Sequence, residues 1–381
     1  MRKIDWKKYL KSLEIRFGSI KESLKKLSLK KYFSRIKFSA FKKMWQKVSL
    51  KKYIKHIKFT PLKKLSQKIS LKKCLPNAKF SWGAILYGVP IFFLLYYPVG
   101  AILSEHIDTD TQVEIKKNTA EESDLVNAVA YIINKETNDH MWTPNMPIIF
   151  PGYILDNMPE FQTGEIKAAA TVSKAFAKVM KKHLPEEYKN LDEAAKYLAY
   201  SPKVWFFSEK AGKFFAPSSS TQYNKAKKEL MSINHAAAER KIWFAYSASD
   251  LQIILDYIYK DLQKTSDNIK SHIRENSHKF VDTKADNVFY NTKGKLYAYY
   301  ILLKALGEDY KSVIVDSQIY PQWTSILKCL ENAVEIDPWI IKNSDMSSSF
   351  SPNHLAYLNM YVLCAAGQIK ALKFAELEEV F

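Results

Sequence analysis

The sequence predicts a mainly α-helical membrane protein: basic repeat helices, one transmembrane helix, and then an all-α exterior domain with a small β-hairpin. Three observations predict this fold class. Residues 1–80 repeat a basic, amphipathic unit of 21 residues. Residues 80–104 contain no charged side chain, and the rest of the chain shows mostly helical spacing of apolar residues. The predicted boundaries are 1–80 for the arm, 81–104 for the transmembrane helix and 105–381 for the exterior domain.

The positive charge of the chain is concentrated in the arm. The whole sequence has 58 Lys and Arg residues against 39 Asp and Glu residues. Residues 1–80 contain 26 of the basic residues and three of the acidic ones, which leaves 32 basic and 36 acidic residues in the remainder. A basic arm is therefore joined to a mildly acidic globular part.

The arm is predicted to be a series of short basic helices. Each unit returns to a basic residue, a phenylalanine and a small residue, and the phenylalanines are Phe17, Phe38, Phe59 and Phe80. Thr60-Pro61 has the pattern of a helix N-cap followed by proline at the first helical position. Such helices suit an anionic membrane surface. Two alternatives are a tandem duplication that acts only as a positive-inside signal, and binding of nucleic acid through phosphates.

Trp82–Leu103 is predicted to cross the membrane once. As a helix it would be about 33 Å long, against a hydrocarbon core of about 30 Å. Trp82 at one end and Tyr96-Tyr97 near the other fit aromatic belts, and Pro98 is expected to mark the exit of the helix.

The flanking lysines predict the orientation of this span. Lysines are frequent before it and rare after it: Lys63, Lys64, Lys68, Lys72, Lys73 and Lys79 against Lys116 and Lys117. Because positive residues stay on the cytoplasmic side, the arm is expected in the cytoplasm and residues from about 104 onward outside. In a bacterium this is an inner-membrane protein with a periplasmic carboxyl terminus.

The exterior domain reads mainly as helices. The predicted segments are 163–183, 191–200, 218–240, 249–275, 293–306, 318–332 and 352–379, with a hairpin over 203–215. Thr119 and Glu122 are predicted to form a capping box for a further helix. Cys329 and Cys364 lie in predicted helices among apolar neighbours, which favours two buried free thiols over one disulfide, whereas Cys74 is placed in the cytoplasm.

Residues 141–164 form a loop that is rich in both proline and apolar residues. Four prolines argue against a helix, yet so many apolar side chains must pack against the helices. Long ordered loops are often functional. We therefore select a candidate binding loop for an envelope protein partner, consisting of Trp142, Asn145, Asp156, Asn157 and Phe161. Asp156 and Asn157 can alternatively form a turn by bonding to the backbone.

The residues just outside the span offer a candidate metal site. In an extended segment His106, Asp108 and Asp110 share one face, where an imidazole and two carboxylates can bind a divalent cation. The alternative is that they only cap and solvate the membrane exit. His140 with Glu136 at helical spacing fits either a general base with its orienting group or a surface pair.

The sequence contains none of the common catalytic or nucleotide-binding motifs. GxGxxG, GxxxxGK[ST], GxSxG, HExxH and CxxC are all missing. The sequence therefore favours a non-enzymatic scaffold or binding protein of the envelope. The alternatives are a periplasmic enzyme acting on envelope polymers through His106, Asp108, Asp110 and Asp156, and a membrane tether for nucleic acid through the arm.

Several Pro- and Trp-containing stretches resemble a known family. They are Tyr96-Tyr97-Pro98-Val99-Gly100, His106-Ile107-Asp108-Thr109-Asp110, Trp142-Thr143-Pro144-Asn145-Met146-Pro147 and residues 155–162. Their order is similar to that in a bacterial inner-membrane family catalogued as domain of unknown function 2333, over roughly residues 80–381. This chain has Thr109 where the family usually has the second of three aspartates. The resemblance implies a single-span envelope protein with a helical exterior domain, and it implies no activity.

Overall fold

The computed structural model describes residues 82–183, 188–206, 216–277, 279, 282–344 and 351–378. All of them belong to the unit Ser81–Phe381. The predicted arm helices of residues 1–80 lie outside the described residues, and the anionic membrane surface and nucleic acid remain predicted partners of that arm.

Ten α-helices occur among the described residues. They are α1 Trp82–Ser104, α2 Asp124–Asn134, α3 Asn157–His183, α4 Tyr188–Leu198, α5 Ser219–Ala238, α6 Ala248–Asn276, α7 Ala285–Asp309, α8 Lys311–Asp316, α9 Tyr320–Val334 and α10 His354–Glu378. A π-helical turn, Lys135–Asp139, continues α2, and a 3₁₀ turn, Pro151–Ile154, precedes α3. The prediction of a mainly helical fold is confirmed.

The predicted helix boundaries are correct to a few residues for most of these elements, with two larger differences. Helix α3 starts at Asn157, six residues before the predicted Thr163, and therefore contains Pro159. Proline is tolerated in the first helical turn because the amide hydrogens there have no partner within the helix. Helix α7 starts at Ala285 rather than near residue 293.

The predicted capping box of α2 is wrong. Ser123 is the N-cap residue, and its Oγ accepts a hydrogen bond from the Val126 amide at 3.2 Å. The carboxylate of Asp309, at the end of α7, also accepts from the amides of Asp124 and Leu125 at 2.8 and 3.0 Å. A distant acidic side chain thus satisfies the free amides of this helix start, where negative charge is favourable.

Helices α3 and α7 form the largest helix pair in the domain and lie at its centre. Helices α2 and α4 pack on one part of this pair and α5 packs on those two helices, whereas α6, α9 and α10 pack on another part of the pair. The largest fully buried side chains include Tyr223, Tyr297, Tyr299, Tyr310, Phe161 and Phe176. The core is therefore rich in aromatic residues whose hydroxyl groups need polar partners inside the protein.

The predicted β-hairpin over 203–215 is not confirmed. Residues 207–215 lie outside the described residues, and the described flank 203–206 consists of turn and bend. Among the described residues, β geometry is limited to one isolated bridge between Asn343 and Asn353. The backbone amide of Ala216 donates to the carbonyl of Phe206 at 3.1 Å.

A disulfide links α9 to α10. The sulfurs of Cys329 and Cys364 are bonded across a sequence separation of 35 residues. The expectation of two free thiols is therefore wrong. The reason is tertiary: the packing of α9 against α10 brings the two Cα atoms to 5.9 Å, within the range that a disulfide requires.

Two helices in the described part of the chain are long and apolar enough to cross a membrane: the segments are Tyr87–Ser104 and His354–Leu372. They differ in their surroundings. In α1 large apolar side chains from Tyr87 to Leu103 are exposed, whereas α10 buries Leu355, Leu358 and Val362 in the core. Helix α1 continues through Pro98 to Ser104, so Pro98 does not mark its exit as predicted.

Candidate functional site

The segment that follows α1 is held on the domain through its backbone. The carbonyl of Asp108 accepts a hydrogen bond from Lys135 Nζ at 2.8 Å, and that of Asp110 accepts from the Tyr297 hydroxyl at 3.1 Å. Each carboxylate bonds to an amide two residues ahead: Asp108 Oδ1 to the amide of Asp110, and Asp110 Oδ1 to the amide of Gln112. These contacts are local turn contacts of aspartate.

The predicted metal ligands His106, Asp108 and Asp110 do not come together. Within the described residues, no group of three or more His, Cys, Asp or Glu side chains is arranged to hold a metal ion. Both aspartates instead use Oδ1 to accept backbone amides of their own segment. His106 instead lies against His140, with ring centroids 5.4 Å apart.

Three members of the predicted binding loop have structural contacts. Trp142 is buried, packs edge to face on Tyr223 and donates its indole hydrogen to the Pro202 carbonyl at 3.0 Å. Asn145 donates from Nδ2 to the carbonyl of Val204 at 2.6 Å. Phe161 is fully buried in the core. These contacts fix the loop to the helices.

The other two members of the predicted loop lie at the start of α3. Asp156 is exposed, and its Oδ1 accepts from the amide of Asn157 at 3.0 Å. Asn157 is half-buried. Asp156 therefore occupies the position before the first helical residue, where a carboxylate is favourable. The large exposed side chains of the loop are different ones: Met141, Ile148, Ile149, Phe150, Tyr153 and Ile154.

A buried ionic cluster lies between the π turn and α3. Lys135 Nζ is 3.2 Å from Glu165 Oε1 and 3.5 Å from Glu136 Oε1, and all three side chains are almost fully buried. Lys135 Nζ also lies 4.3 Å from the ring centre of Tyr297. The π turn changes the direction of side chains relative to α2, so that adjacent Lys135 and Glu136 both point inward. π-Helical turns are frequent at functional sites.

The cluster contains two carboxylates and one ammonium group, and their ionisation differs. Burial and the neighbouring charge of Glu136 raise the pKa of Glu165 well above its usual value. Burial also opposes ionisation of Glu136, but His140 and the Lys135 charge outweigh this and keep the pKa of Glu136 lowered. For Lys135, burial is outweighed by the two carboxylates, so its pKa is raised. Lys135 and Glu136 are therefore charged and Glu165 is protonated, so that the cluster of three side chains has no net charge.

His140 connects this cluster to a pocket of about 470 Å³. Its Nδ1 lies 3.5 Å from Glu136 Oε1. The pocket, which we call the His140 pocket, is also lined by Trp142, Asn145, Phe150, Trp205 and Ser220. A histidine backed by a buried carboxylate can move a proton or hold a polar ligand. The described residues place no serine hydroxyl in hydrogen-bond contact with His140, so a nucleophile activated by this histidine is not seen there.

The spacing of Glu136 and His140 indicated this pair in the sequence, but the role of Glu165 was missed. Two signals could have identified it. Glu165 follows Gly164 in an alanine-rich helix, and it occupies the face that Phe161 and Ala168 direct into the core. A charged residue on the core face of a helix requires a buried partner. Sequence alone does not show that the partner is Lys135.

A second, larger cavity of about 620 Å³ lies between α3, α6 and α7. We call it the Lys167 groove. Its walls carry lysine, asparagine and threonine side chains: Lys167, Lys264, Lys295, Asn268, Asn287, Asn291, Thr163, Thr171 and Thr265. Such a surface offers many hydrogen-bond donors. None of these residues belonged to the predicted site.

The lysines of the Lys167 groove differ in whether they form an ion pair. Lys295 Nζ is 2.8 Å from Asp261 Oδ2 and 2.9 Å from Thr265 Oγ1. The carboxylate of Glu160 is bonded to Asn291 at 2.9 Å. In contrast, Lys167 and Lys264 have no ion-pair partner among the described residues. The Lys167 side chain is exposed, but partial desolvation at the groove walls and the nearby Lys295 charge outweigh the charges of Glu160 and Asp261 and lower the pKa of Lys167. The groove lining therefore has three lysines against the two carboxylates of Glu160 and Asp261, a net charge of +1.

The chain matches a protein family that is conserved in bacteria. The family described as "Uncharacterized protein conserved in bacteria (DUF2333)" matches residues 104–370. The match covers the helical domain and begins at the end of α1. No curated protein and no solved structure matches the chain. Because the matched residues are well over half of the sequence, the chain belongs to this uncharacterised bacterial family.

Proposed function

We propose that the protein is a single-span inner-membrane protein that presents a helical, non-enzymatic binding domain to the periplasm. The partner is an envelope protein with an acidic segment, which binds in the Lys167 groove. The observation that carries this function is a groove of about 620 Å³ with a net positive charge, in which Lys167 and Lys264 have no ion-pair partner among the described residues.

Helix α1 supports the membrane placement. Its large apolar side chains point outward in several directions, and Leu94 is 72% exposed while Ile91 is 55% exposed. An uncharged helix of 23 residues with such a surface is unfavourable in water and matches the thickness of a bilayer. Helix α10 passes the same test of length and composition, but it packs on α6 and α9, as expected for a core helix.

Two independent features support a periplasmic domain. The lysines before the span outnumber those after it, which favours a cytoplasmic arm. The disulfide between Cys329 and Cys364 is typical of an oxidising compartment such as the periplasm. A phosphatase fused after Phe381 should therefore be active, and one fused after Lys79 in a chain without the span should be inactive. A cytoplasmic carboxyl terminus would contradict the proposed orientation.

The chemistry of the Lys167 groove supports an acidic protein partner. Lysines attract carboxylates, and the asparagine and threonine side chains can bond to the backbone of an extended peptide. The charge repulsion between Lys167 and Lys295 would be relieved by a bound carboxylate. This relief favours an acidic segment over a neutral one.

In-cell photo-crosslinking tests the groove. A photo-crosslinking residue in place of Asn268, inside the groove, should capture one defined partner, and Lys167→Glu in the same chain should remove the product. The matched control is the same residue in place of Lys174, which is exposed on α3 but does not line the groove. Equal capture from both positions, or capture that survives Lys167→Glu, would show that the groove is not the binding site.

The arm is proposed to bind the cytoplasmic face of the membrane. Its lysines repel one another in dilute buffer, and anionic lipid would offset this repulsion. Circular dichroism of residues 1–80 should therefore show more helix with anionic vesicles than with neutral ones. Equal helicity with both would remove the electrostatic part of this proposal, and salt-dependent DNA binding without vesicle binding would favour the nucleic-acid tether.

A second candidate function is general acid–base chemistry on an envelope polymer in the His140 pocket. The specific observation in its favour is the position of His140 Nδ1, which lies 3.5 Å from buried Glu136 at the wall of that pocket. His140→Gln should then abolish the action of the protein on the polymer in cells. The crosslink between position 268 and the partner should remain. Unchanged function in cells after His140→Gln would exclude this candidate.

A further inference from the structure

Residues 147–154, which we call the apolar loop, expose an unusual number of large apolar side chains. Ile148 and Ile149 are each 63% exposed, and Tyr153 and Ile154 are about half exposed. The surrounding sequence, from residue 141 to residue 155, contains no charged residue. A contiguous apolar patch of this kind on a protein surface usually contacts a membrane or another protein.

The apolar loop is attached to the span itself. The hydroxyl of Tyr96 donates to the carbonyl of Ile149 at 3.1 Å, and the hydroxyl of Tyr97 donates to the carbonyl of Ile148. Pro151 packs directly on Gly100, where an added Cβ would overlap the proline ring. The loop is thus bonded to two successive turns of α1, well before the end of that helix.

These contacts define the depth of the loop. Tyr97 lies seven residues before Ser104, the last residue of α1, which is about 10 Å along the helix axis. Tyrosines near the end of a span occupy the interface between hydrocarbon and headgroups. The apolar loop is hydrogen-bonded at that level, so its exposed side chains lie at the same depth.

The backbone of the loop is suited to an environment with little water. Its turns pair the amide of Phe150 with the carbonyl of Pro147, that of Tyr153 with Phe150, and that of Leu155 with Gly152. The tyrosine hydroxyls of α1 satisfy two further carbonyls. Each of these bonds lowers the cost of removing a backbone polar group from water.

We propose that the apolar loop inserts its exposed side chains into the outer interface of the bilayer, beside α1. This inference rests on the proposed membrane span. The loop and the span then form two lipid contacts of one domain, and together they hold the domain in one orientation against the membrane. Lipid, rather than a partner protein, is the occupant because the loop is continuous with the lipid-exposed surface of α1.

The proposed insertion also determines where the His140 pocket lies relative to the membrane. Phe150 belongs to both the apolar loop and the pocket wall, and Trp205, also in the wall, packs on Phe150 with ring centroids 6.5 Å apart. The pocket therefore opens next to the headgroup layer. A ligand of this pocket would be reached from the membrane surface.

Depth-dependent fluorescence quenching tests the insertion. The full chain with Cys74→Ser is purified, reconstituted alone into vesicles of bacterial phospholipid composition and labelled at one introduced cysteine. The test position is Ile149→Cys. Phe93→Cys, in α1, is the control for the span, and Trp243→Cys, at a residue 77% exposed between α5 and α6, is the control for water. The quenchers are lipids with nitroxides at different depths, and aqueous iodide.

We expect the probe at position 149 to lose most of its emission to the shallow nitroxide and little to iodide, and the probe at position 243 to behave in the opposite way. If position 149 is quenched by iodide as strongly as position 243, while position 93 is quenched by the deep nitroxide, the loop does not insert although the span does. If position 93 is also not quenched by lipid nitroxides, the proposed span is wrong, and the loop inference fails with it.

Discussion

Gly164 of α3 and Gly294 of α7 allow the two central helices to meet backbone to backbone. A Cβ atom added to Gly164 would overlap the carbonyl oxygen of Asn291, and one added to Gly294 would overlap that of Phe161. The residues that follow these glycines, Glu165 and Lys295, belong to the buried ionic cluster and to the Lys167 groove. One close helix crossing therefore positions both candidate sites.

Gly164→Ala and Gly294→Ala should each destabilise the domain. The added methyl group meets rigid backbone rather than a mobile side chain, so we expect a loss of about 1 to 3 kcal/mol in the free energy of unfolding. Gly367→Ala is the matched control, because nothing lies within 4 Å of the added atom in α10. It should stabilise the protein by about 0.5 to 1 kcal/mol, the ordinary helix effect. Denaturant unfolding of the three variants measures these differences, and equal effects would contradict the close crossing.

Glu136→Gln and Glu165→Gln should have unequal effects at neutral pH. Glu136→Gln removes the ionised partner of buried Lys135 and should cost up to about 3 to 5 kcal/mol of stability, less the part that Glu165 recovers by ionising in its place. Glu165→Gln resembles the protonated acid that the raised pKa indicates, and should cost much less. Adding Lys135→Met to Glu136→Gln should recover part of the loss, because no charge then remains unpaired. A larger loss for Glu165→Gln than for Glu136→Gln would reverse the assignment of the proton.

The raised pKa of Glu165 also predicts a pH dependence. The contribution of a carboxyl group whose pKa is raised by folding is complete below its unfolded pKa, near 4.5, and is lost as the pH rises through the folded pKa. The free energy of unfolding of the natural protein should therefore fall with rising pH above about 5 by more than that of Glu165→Gln. Parallel unfolding curves over a pH series provide the measurement, and identical slopes would mean that Glu165 is ionised in the folded protein.

Substitutions of core and surface residues in the proline-rich loop, residues 141–164, should differ in their effect on stability. Trp142→Ala and Phe161→Ala remove buried aromatic rings and should each cost about 3 to 5 kcal/mol. Ile148→Ala, at an exposed position of the same loop, should change the stability of the detergent-solubilised protein by no more than about 0.5 kcal/mol. Thermal unfolding compares the three. A loss for Ile148→Ala as large as that for Trp142→Ala would show that the apolar loop packs inside the domain.

The disulfide should be required for full stability. Cys364→Ser removes a link that closes a loop of 35 residues, and we expect a loss of about 3 to 4 kcal/mol. Alkylation of native membranes without reductant should modify Cys74 alone of the three cysteines. Modification of Cys329 or Cys364 before reduction would show that the bond is not formed in the cell.

Much of the fold follows from local sequence patterns. The spacing of apolar residues indicates a helical domain, and the boundaries of α5, α6, α9 and α10 are predicted to within about three residues because periodicity is local information. The expected burial of Trp142 and Phe161 is confirmed, whereas Leu155, expected to be buried with them, is half-buried. The absence of charged residues from position 80 to position 104 identifies the candidate span in the sequence.

The tertiary structure alone decided which distant residues meet. Lys135 and Glu165 are separated by 30 positions, and Cys329 and Cys364 by 35, so no local pattern relates them. The contact of the two cysteines depends on the packing of α9 on α10. The position of Glu165 depends on the close approach of α3 and α7 at Gly164 and Gly294. Conversely, His106, Asp108 and Asp110 are close in sequence but form no group that could hold a metal ion, and the two aspartates bond to backbone amides. The sequence by itself determined the helices and the candidate span, whereas the packing of α3 on α7 decided the sites.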